Sequence, residues 1–180
     1  MEASVEEEEA SSGEQWMTET AAELEDYVKV QGGELLTKVE TAVAEAAVAA
    51  EQFVDEQSVL ALRQEVVDYA LSFVGGRYVY GGNDPHTGVD CSGFTRYILE
   101  HAAGISMNRS SIYQASQGRS ISADEMQPGD LIFYGKGKSI NHVAMYIGDG
   151  RIVHASTEKT GIKTSPWNYR TPVKIVSVIS

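Results

Sequence analysis

Charge divides this chain before any other property does. Residues 1–60 hold 16 acidic side chains against Lys29 and Lys38, a net −14, whereas residues 61–180 hold 10 acids and 12 bases, a net +2. The acidity thus belongs to the N-terminal third, and the remainder is nearly neutral and slightly basic. The 180 residues are therefore expected to form one ordinary domain with an acidic segment appended. An apolar fraction of 42% is enough for one such core. No run approaches the roughly 18 apolar residues of a membrane span, and no Lys/Arg cluster marks a nucleic-acid surface. The opening MEASVEEEEA has neither the basic nor the apolar region of a secretory leader.

Within the acidic part, residues 1–20 are dominated by Glu, Ser and Thr and bury too little apolar surface to offset chain entropy, so a disordered tail is expected there. Residues 21–57 read as helical, either a spacer (a solvated helix or short coiled coil) or a helix that docks on the domain and controls access to its site. Leu24, Tyr27 and Val28 form a short stripe, Gly32-Gly33 interrupts it, and Leu35, Leu36, Val39, Val43, Ala46, Ala47, Ala50 and Phe53 resume at helical spacing.

The domain is expected over residues 58–180, with Ser58 as a helix N-cap. Val59, Leu62, Val66, Tyr69, Ala70 and Phe73 make one helical face that Gly75-Gly76 ends. After the turn-rich YVYGGNDPHTG, a second helix is expected over Cys91–Ala103, with Phe94, Ile98 and Ala102 spaced by four and Gly104 just past its end. Thereafter the pattern becomes short β-like runs: DLIFY (130–134), HVAMYIG (142–148), RIVHA (151–155) and VKIVSVI (173–179). Helices first and strands later indicate an α+β fold with a mostly antiparallel sheet.

Cys91 is the only cysteine, so it has no disulfide partner within the chain. It could be core filler, since a buried thiol packs as a small hydrophobe. Its neighbours favour chemistry. Asp90 is a favoured N-cap and places Cys91 in the first helical turn, where free N–H groups and the helix dipole favour thiolate. Ser92 and Gly93 leave room for a substrate and expose N–H groups to an oxyanion. A nucleophile also needs a base. His86 lies in a loop, and His101 lies ten residues further along the same helix, about 15 Å away. His142 and His154 remain, on strands joined by Gly148-Asp149-Gly150. With those three residues as the loop, Ile147 faces Arg151, His154 faces Ala144, and the two histidines become diagonal neighbours on one face. A two-residue loop would separate them, and three residues are expected. Cys91, the two histidines and Asp90 could also hold zinc, but paired ligand spacings are absent, and no metal or cofactor is expected.

The blocks RYVYGGNDPHTGVDCSGFTRYI, RSSIYQASQG, MQPGDLIFY and NHVAMYIGDGRIVHAS together resemble the NlpC/P60 family of cell-wall peptidases, over about residues 60–180. The resemblance implies a papain-like α+β fold and cleavage of amide bonds in peptidoglycan stem peptides, often between D-glutamate and the following diamino acid. It implies Cys91 as nucleophile, His142 as base and then acid, and His154 as the residue that orients His142. It also implies Tyr78 at the active site and Asp90 and Ser92 lining the subsite for the start of the stem peptide. Asp90 can serve as both cap and subsite. For Arg109, a loop salt bridge is the expected role. The implied partner is the stem peptide, with no nucleic acid and no membrane span, and a monomer is expected. Export is expected too, with the leader absent from this chain. Two alternatives remain: a thiol amidase or acyltransferase of the same fold acting on another γ-glutamyl or amide substrate, and a non-catalytic wall-binding protein.

Overall fold

The computed structural model describes residues 23–26 and 28–180 in full, so the tail expected over residues 1–20 lies outside the described residues. The chain divides into two compact units, Met1–Val54 and Asp55–Ser180. A single helix, α1 (Ala3–Leu71), includes Gly32, Gly33 and Ser58, so none of these marks a helix end. Ser58 does not cap; its hydroxyl donates back to the Asp55 carbonyl at 2.7 Å. Isolated glycines inside a helix cost only about 1 kcal/mol each, which a long run of Ala, Glu and Leu tolerates.

In the first unit, the stripe residues Leu24, Val28, Leu35, Leu36, Val39, Val43 and Phe53 are all exposed. No helix among the described residues is long and apolar enough to cross a membrane.

In the second unit, the end of α1 buries Val66, Val67 and Ala70. Arg63 is buried beside them, and its guanidinium donates to the Pro128 carbonyl, Asp130, the Ser177 hydroxyl and the Ile179 carbonyl at 2.6–2.9 Å. The helix is followed by turns up to Gly75, whose φ of 93° needs a glycine. A small ribbon of β1 (Asn83–Asp84) and β2 (Gly88–Val89) leads directly into α2 (Cys91–Ala103). This helix has the expected bounds. Asp90 caps its start by accepting from the Gly93 N–H, and Gly104 closes its end in the left-handed region at φ 65°.

After the short α3 (Ser111–Gln114), β3 (Arg119–Ser120) and a 3-10 turn (Ala123–Glu125), five longer strands complete the sheet: β4 (Leu131–Lys136), β5 (Ser139–Gly148), β6 (Arg151–Thr157), β7 (Gly161–Pro166) and β8 (Pro172–Ser177). Their order is β3-β8-β4-β5-β6-β7, antiparallel throughout. The fold is α+β, as the order of helices and strands predicts. Strand alternation sorts the core. Leu131, Phe133, Val143, Met145 and Val153 pack with Phe94, Ile98 and Leu99 of α2, while Ile132, Tyr134, Ala144 and Ile152 pack with Ile121 and Ile175. Strand β7, polar and ending in proline, is absent from the strands the sequence predicts.

The β5–β6 hairpin corrects one expectation. Its loop has two residues, Asp149-Gly150, with Gly148 paired to Arg151 rather than Ile147. A bulge between Tyr146 and Gly148 takes up Ile147, so Tyr146 pairs with Ile152 and Met145 with Val153. The same register carried one step further sets Ala144 opposite His154, although the ladder itself stops at Met145 and Val153. The extra residue of the bulge restores the register that a plain two-residue loop would have shifted by one.

Candidate active site

Cys91 opens α2 and is only partly exposed. Its sulfur faces the backbone N–H of Val143, along with the N–H groups of Ser92 and of Cys91 itself. The nucleophile candidate therefore sits against β5, one residue from His142. His142 and His154 are both buried. Their rings meet at 2.8 Å between His142 Nε2 and His154 Nδ1, with centroids 5.0 Å apart and nearly perpendicular. The far nitrogen of His154, Nε2, lies 3.0 Å from the Ser165 hydroxyl on β7. Ser165 was not legible in the sequence because its strand was not.

This chain of contacts defines a direction. For His142 to take a proton at Nδ1, its Nε2–H must donate to His154 Nδ1. His154 then carries its own proton on Nε2 and donates to Ser165 Oγ. When His142 becomes an imidazolium, the same two bonds hold it in place. His86 and His101 take no part: His86 pairs with Asp84 on the surface at 2.8 Å, and His101 stacks on Tyr97 at 3.9 Å.

Burial dominates the electrostatics. It pulls His142 down to about 4, with the Arg170 cation adding to the effect. It pulls His154 down to about 3, with His142 and Lys163 adding to it. It also pushes the Cys91 thiol up; the Val143 N–H opposes this, and the Asp90 charge reinforces it. The helix terminus was expected to leave Cys91 as thiolate. Its N–H groups do favour that form, but desolvation outweighs them, and the resting pair is tilted toward neutral thiol and neutral imidazole.

On the other side of Cys91 stands a dense polar cluster. Asp90 Oδ1 accepts from the Gly93 N–H at 2.8 Å and from Arg109 Nη1 at 2.9 Å. Its Oδ2 accepts from the Gly81 N–H at 2.9 Å and from Arg109 Nη2 at 2.8 Å. Arg109 also donates to the Ser92 hydroxyl at 3.1 Å and to the Gly82 carbonyl at 3.0 Å. Burial alone raises the Asp90 carboxyl; Arg109 and the two N–H groups outweigh it and hold it below the usual range. Arg109 thus makes the salt bridge expected of it, and its partner is the helix cap beside the nucleophile. Gln114 fastens the far side, donating to the Ser92 and Asn108 carbonyls at 2.9 and 2.7 Å. The Tyr78 backbone bridges Val89, two residues before Cys91, and the pKa of its hydroxyl is raised by burial and by the charges of Cys91 and Asp90.

Two further residues border the histidines, on the turn between β7 and β8. The Tyr169 ring lies 5.4 Å from the His154 ring and 5.1 Å from that of Tyr134. Arg170 donates to Asn141 Oδ1 at 2.9 Å. The segment SPWNYR offers turn residues but no periodicity, so nothing in the sequence singled them out.

The pattern of the NlpC/P60 family matches residues 75–177. Among curated relatives, a probable endopeptidase p60 of Listeria monocytogenes is 39% identical over 98 residues, covering 54% of this chain and 19% of the relative. A gamma-DL-glutamyl hydrolase of Bacillus subtilis is 36% identical over 100 residues, covering 54% of this chain and 24% of the relative. The chain thus spans about a fifth to a quarter of the length of these relatives. Among solved structures, the NlpC/p60 domain of the peptidoglycan hydrolase SagA aligns with a TM-score of 0.59 at 35% identity, over 64% of this chain and 97% of that domain.

Proposed function

The chain belongs to the NlpC/P60 family, and from that premise we propose that its second unit is a cysteine peptidase acting on peptidoglycan stem peptides, at the bond between D-glutamate and the following diamino acid. The observation that carries this reading is the buried chain from His142 Nε2 to His154 Nδ1 and from His154 Nε2 to the Ser165 hydroxyl, with the half-buried Cys91 set against the N–H of Val143, the residue after His142.

His142 Nδ1 accepts the Cys91 thiol proton as the sulfur attacks the amide carbon. Because burial disfavours a separated ion pair at rest, proton transfer and attack are coupled. The N–H groups of Cys91 and Ser92 at the start of α2 face the developing oxyanion, with the Tyr78 hydroxyl beside them. The imidazolium then delivers its proton to the departing nitrogen, leaving a thioester on Cys91. Water, deprotonated by His142, hydrolyses that ester and restores the thiol. Asp90 and Ser92 line the acyl side, held by Arg109. Since Asp90 already accepts five hydrogen bonds, its first task is to fix the start of α2 against the 81–90 loop.

The bond assignment draws support from the relative named as a gamma-DL-glutamyl hydrolase. An extracellular location follows from the proposed substrate. We assign the acidic segment, residues 21–57, to spacing rather than to covering the site. The test is product analysis on defined stem peptides with the intact protein and with Cys91→Ala. Cleavage after D-glutamate that vanishes in the variant supports the reading. Cleavage only at another amide, or acyl transfer in place of hydrolysis, favours a different enzyme of this fold. Unchanged peptide with retained binding favours a wall-binding protein.

A further inference from the structure

Two arginines border the site, and they differ in what is left for them to bind. Arg109 spends its donors on Asp90, Ser92 and Gly82. Arg170 donates to Asn141 Oδ1, opposes through a side-chain hydrogen bond and its charge the rise that burial gives the pKa of the neighbouring Tyr169 hydroxyl, and among the described residues forms no ion pair. A guanidinium carries five N–H donors in a fork that suits a carboxylate, so most of those on Arg170 remain open.

Arg170 is also held in place. Its guanidinium carbon lies 5.8 Å from the centre of the Tyr134 ring, and that ring lies 6.1 Å from the His142 ring. Tyr134 is the direct cross-strand partner of His142, its hydroxyl donates to the Trp167 carbonyl at 2.6 Å, and Asn141 immediately precedes His142. The turn carrying Arg170 is thereby fastened to the strand carrying the base. The cation is half-exposed, open to solvent on one side and backed by an aromatic face on the other.

This placement has a chemical meaning if the peptidase reading holds, on which the inference rests. The base that takes the thiol proton must later reach the departing nitrogen, so the leaving fragment lies on the His142 side of the scissile amide. We propose that Arg170 binds a carboxylate of the leaving fragment, so that the protein selects substrates whose departing amine belongs to an amino acid with a free acid group. Asp90 and Arg109 border the acyl side as an already neutralised pair, whereas Arg170 presents an uncompensated positive charge to the leaving side.

The experiment uses the full chain and two peptides that differ only in the residue whose amine departs: one carries a free carboxylate there, the other a primary amide. The intact protein is expected to prefer the acid by about tenfold in kcat/KM, mostly through KM, the scale of a charge-assisted hydrogen-bonded pair on a half-exposed group. Arg170→Gln keeps a donor for Asn141 and should lose the preference, turning over acid and amide at equal rates whatever their common level, because the same change also relieves His142 of a nearby cation. Near-UV circular dichroism matching the intact protein reports that the variant is folded. Arg170→Lys should keep part of the preference, because it retains the charge without the fork. Turnover of both peptides by the intact protein without preference, or a preference that survives Arg170→Gln, overturns the role of Arg170 and leaves the peptidase reading standing. No turnover of either peptide overturns both.

Discussion

Replacing Gly93 with alanine sets two physical effects against each other at the catalytic helix. Gly93 lies in the first turn of α2, where alanine is intrinsically better by about 1 kcal/mol. A Cβ there would lie 2.3 Å from the Gly82 carbonyl oxygen, 3.1 Å from Asp90 Oδ1 and 3.1 Å from Val89 Cγ2. Relief requires a retreat of about 1 Å. The nearest obstacle is backbone and cannot rotate away. Gly82 itself cannot move freely, since it is backed by Gly88 and its carbonyl accepts from Arg109 Nη2 at 3.0 Å. Overpacking of this kind costs about 1–3 kcal/mol, and loosening the Asp90 cap adds about 1 kcal/mol. The clash therefore outweighs the propensity gain, with a net loss of about 2 kcal/mol. Near-UV circular dichroism of the full chain should show a midpoint lower by about 6 °C, at roughly 3 °C per kcal/mol. Activity should fall about a hundredfold, since a 1 Å displacement of the nucleophile's helix is enough for that. Gly32→Ala is the control: it lies in α1 with nothing within 4 Å of the new Cβ, so only the propensity gain should appear. If Gly93→Ala raises the midpoint as Gly32→Ala does for its own unit, the close approach of loop and helix is wrong.

Three more expectations concern titration and the acidic segment. The productive form of the Cys91–His142 pair holds one proton. With the thiol raised and His142 lowered to about 4, kcat/KM should therefore show a broad plateau with an acid limb near pH 4 and an alkaline limb above the ordinary thiol range, both belonging to the pair. A single rise centred near about pH 8.5, with no acid limb, would refute it. Both histidines titrate lower in the folded chain, to about 4 and about 3. The unfolded chain thus binds more protons below the usual value of about 6.5, and stability present above that pH is lost as pH falls toward 4. The slope is at most roughly 1.4 kcal/mol per pH unit for each group. The urea midpoint should drop between pH 7 and 4.5, and drop less in His154→Gln; parallel behaviour of the two proteins would contradict this. Finally, residues 58–180 should match the full chain in kcat/KM at low and high salt if the acidic segment is a spacer, whereas a several-fold rise on truncation would mark it as a cover.

What could be read in advance depended on how local the determinant was. Helix α2 announces itself through Asp90, its apolar spacing and Gly104, all within fifteen residues, and so the position of Cys91 at a helix start was legible. The pairing of His142 with His154 was legible only as a consequence of register, and the route to that register was misjudged. The bulge at Ile147 adjoins a turn with three successive positive φ values at Gly148, Asp149 and Gly150, and Asp149 gives no warning that it will adopt one. The partner of Arg109 was out of reach because Asp90 is 19 positions away, at the far end of α2, and residues 104–109 after that helix carry no periodicity to say where they turn back. Ser165 and the Tyr169–Arg170 turn went unseen for a related reason. Strand β7 lies at the sheet edge, and although Ile162 and Ser165 are buried, its Lys, Thr, Ser and Pro dilute the strand pattern.

The grip of Arg63 also has a bearing on how this molecule comes into being. Its guanidinium closes on Asp130 and on the Ile179 carbonyl, 67 and 116 positions further along the chain. Contacts of such long range are entropically costly to bring together and characterise slow-folding topologies. As a ribosome feeds the polypeptide out from its N-terminal side, α1 emerges early and must wait for β8 before its buried arginine is satisfied. Until then the helix carries an unpaired cation where the core will be, and the half-made domain cannot close. The domain thus satisfies its buried arginine only once residues 177–179 have been made, so its last strand sets the moment at which its first helix can settle.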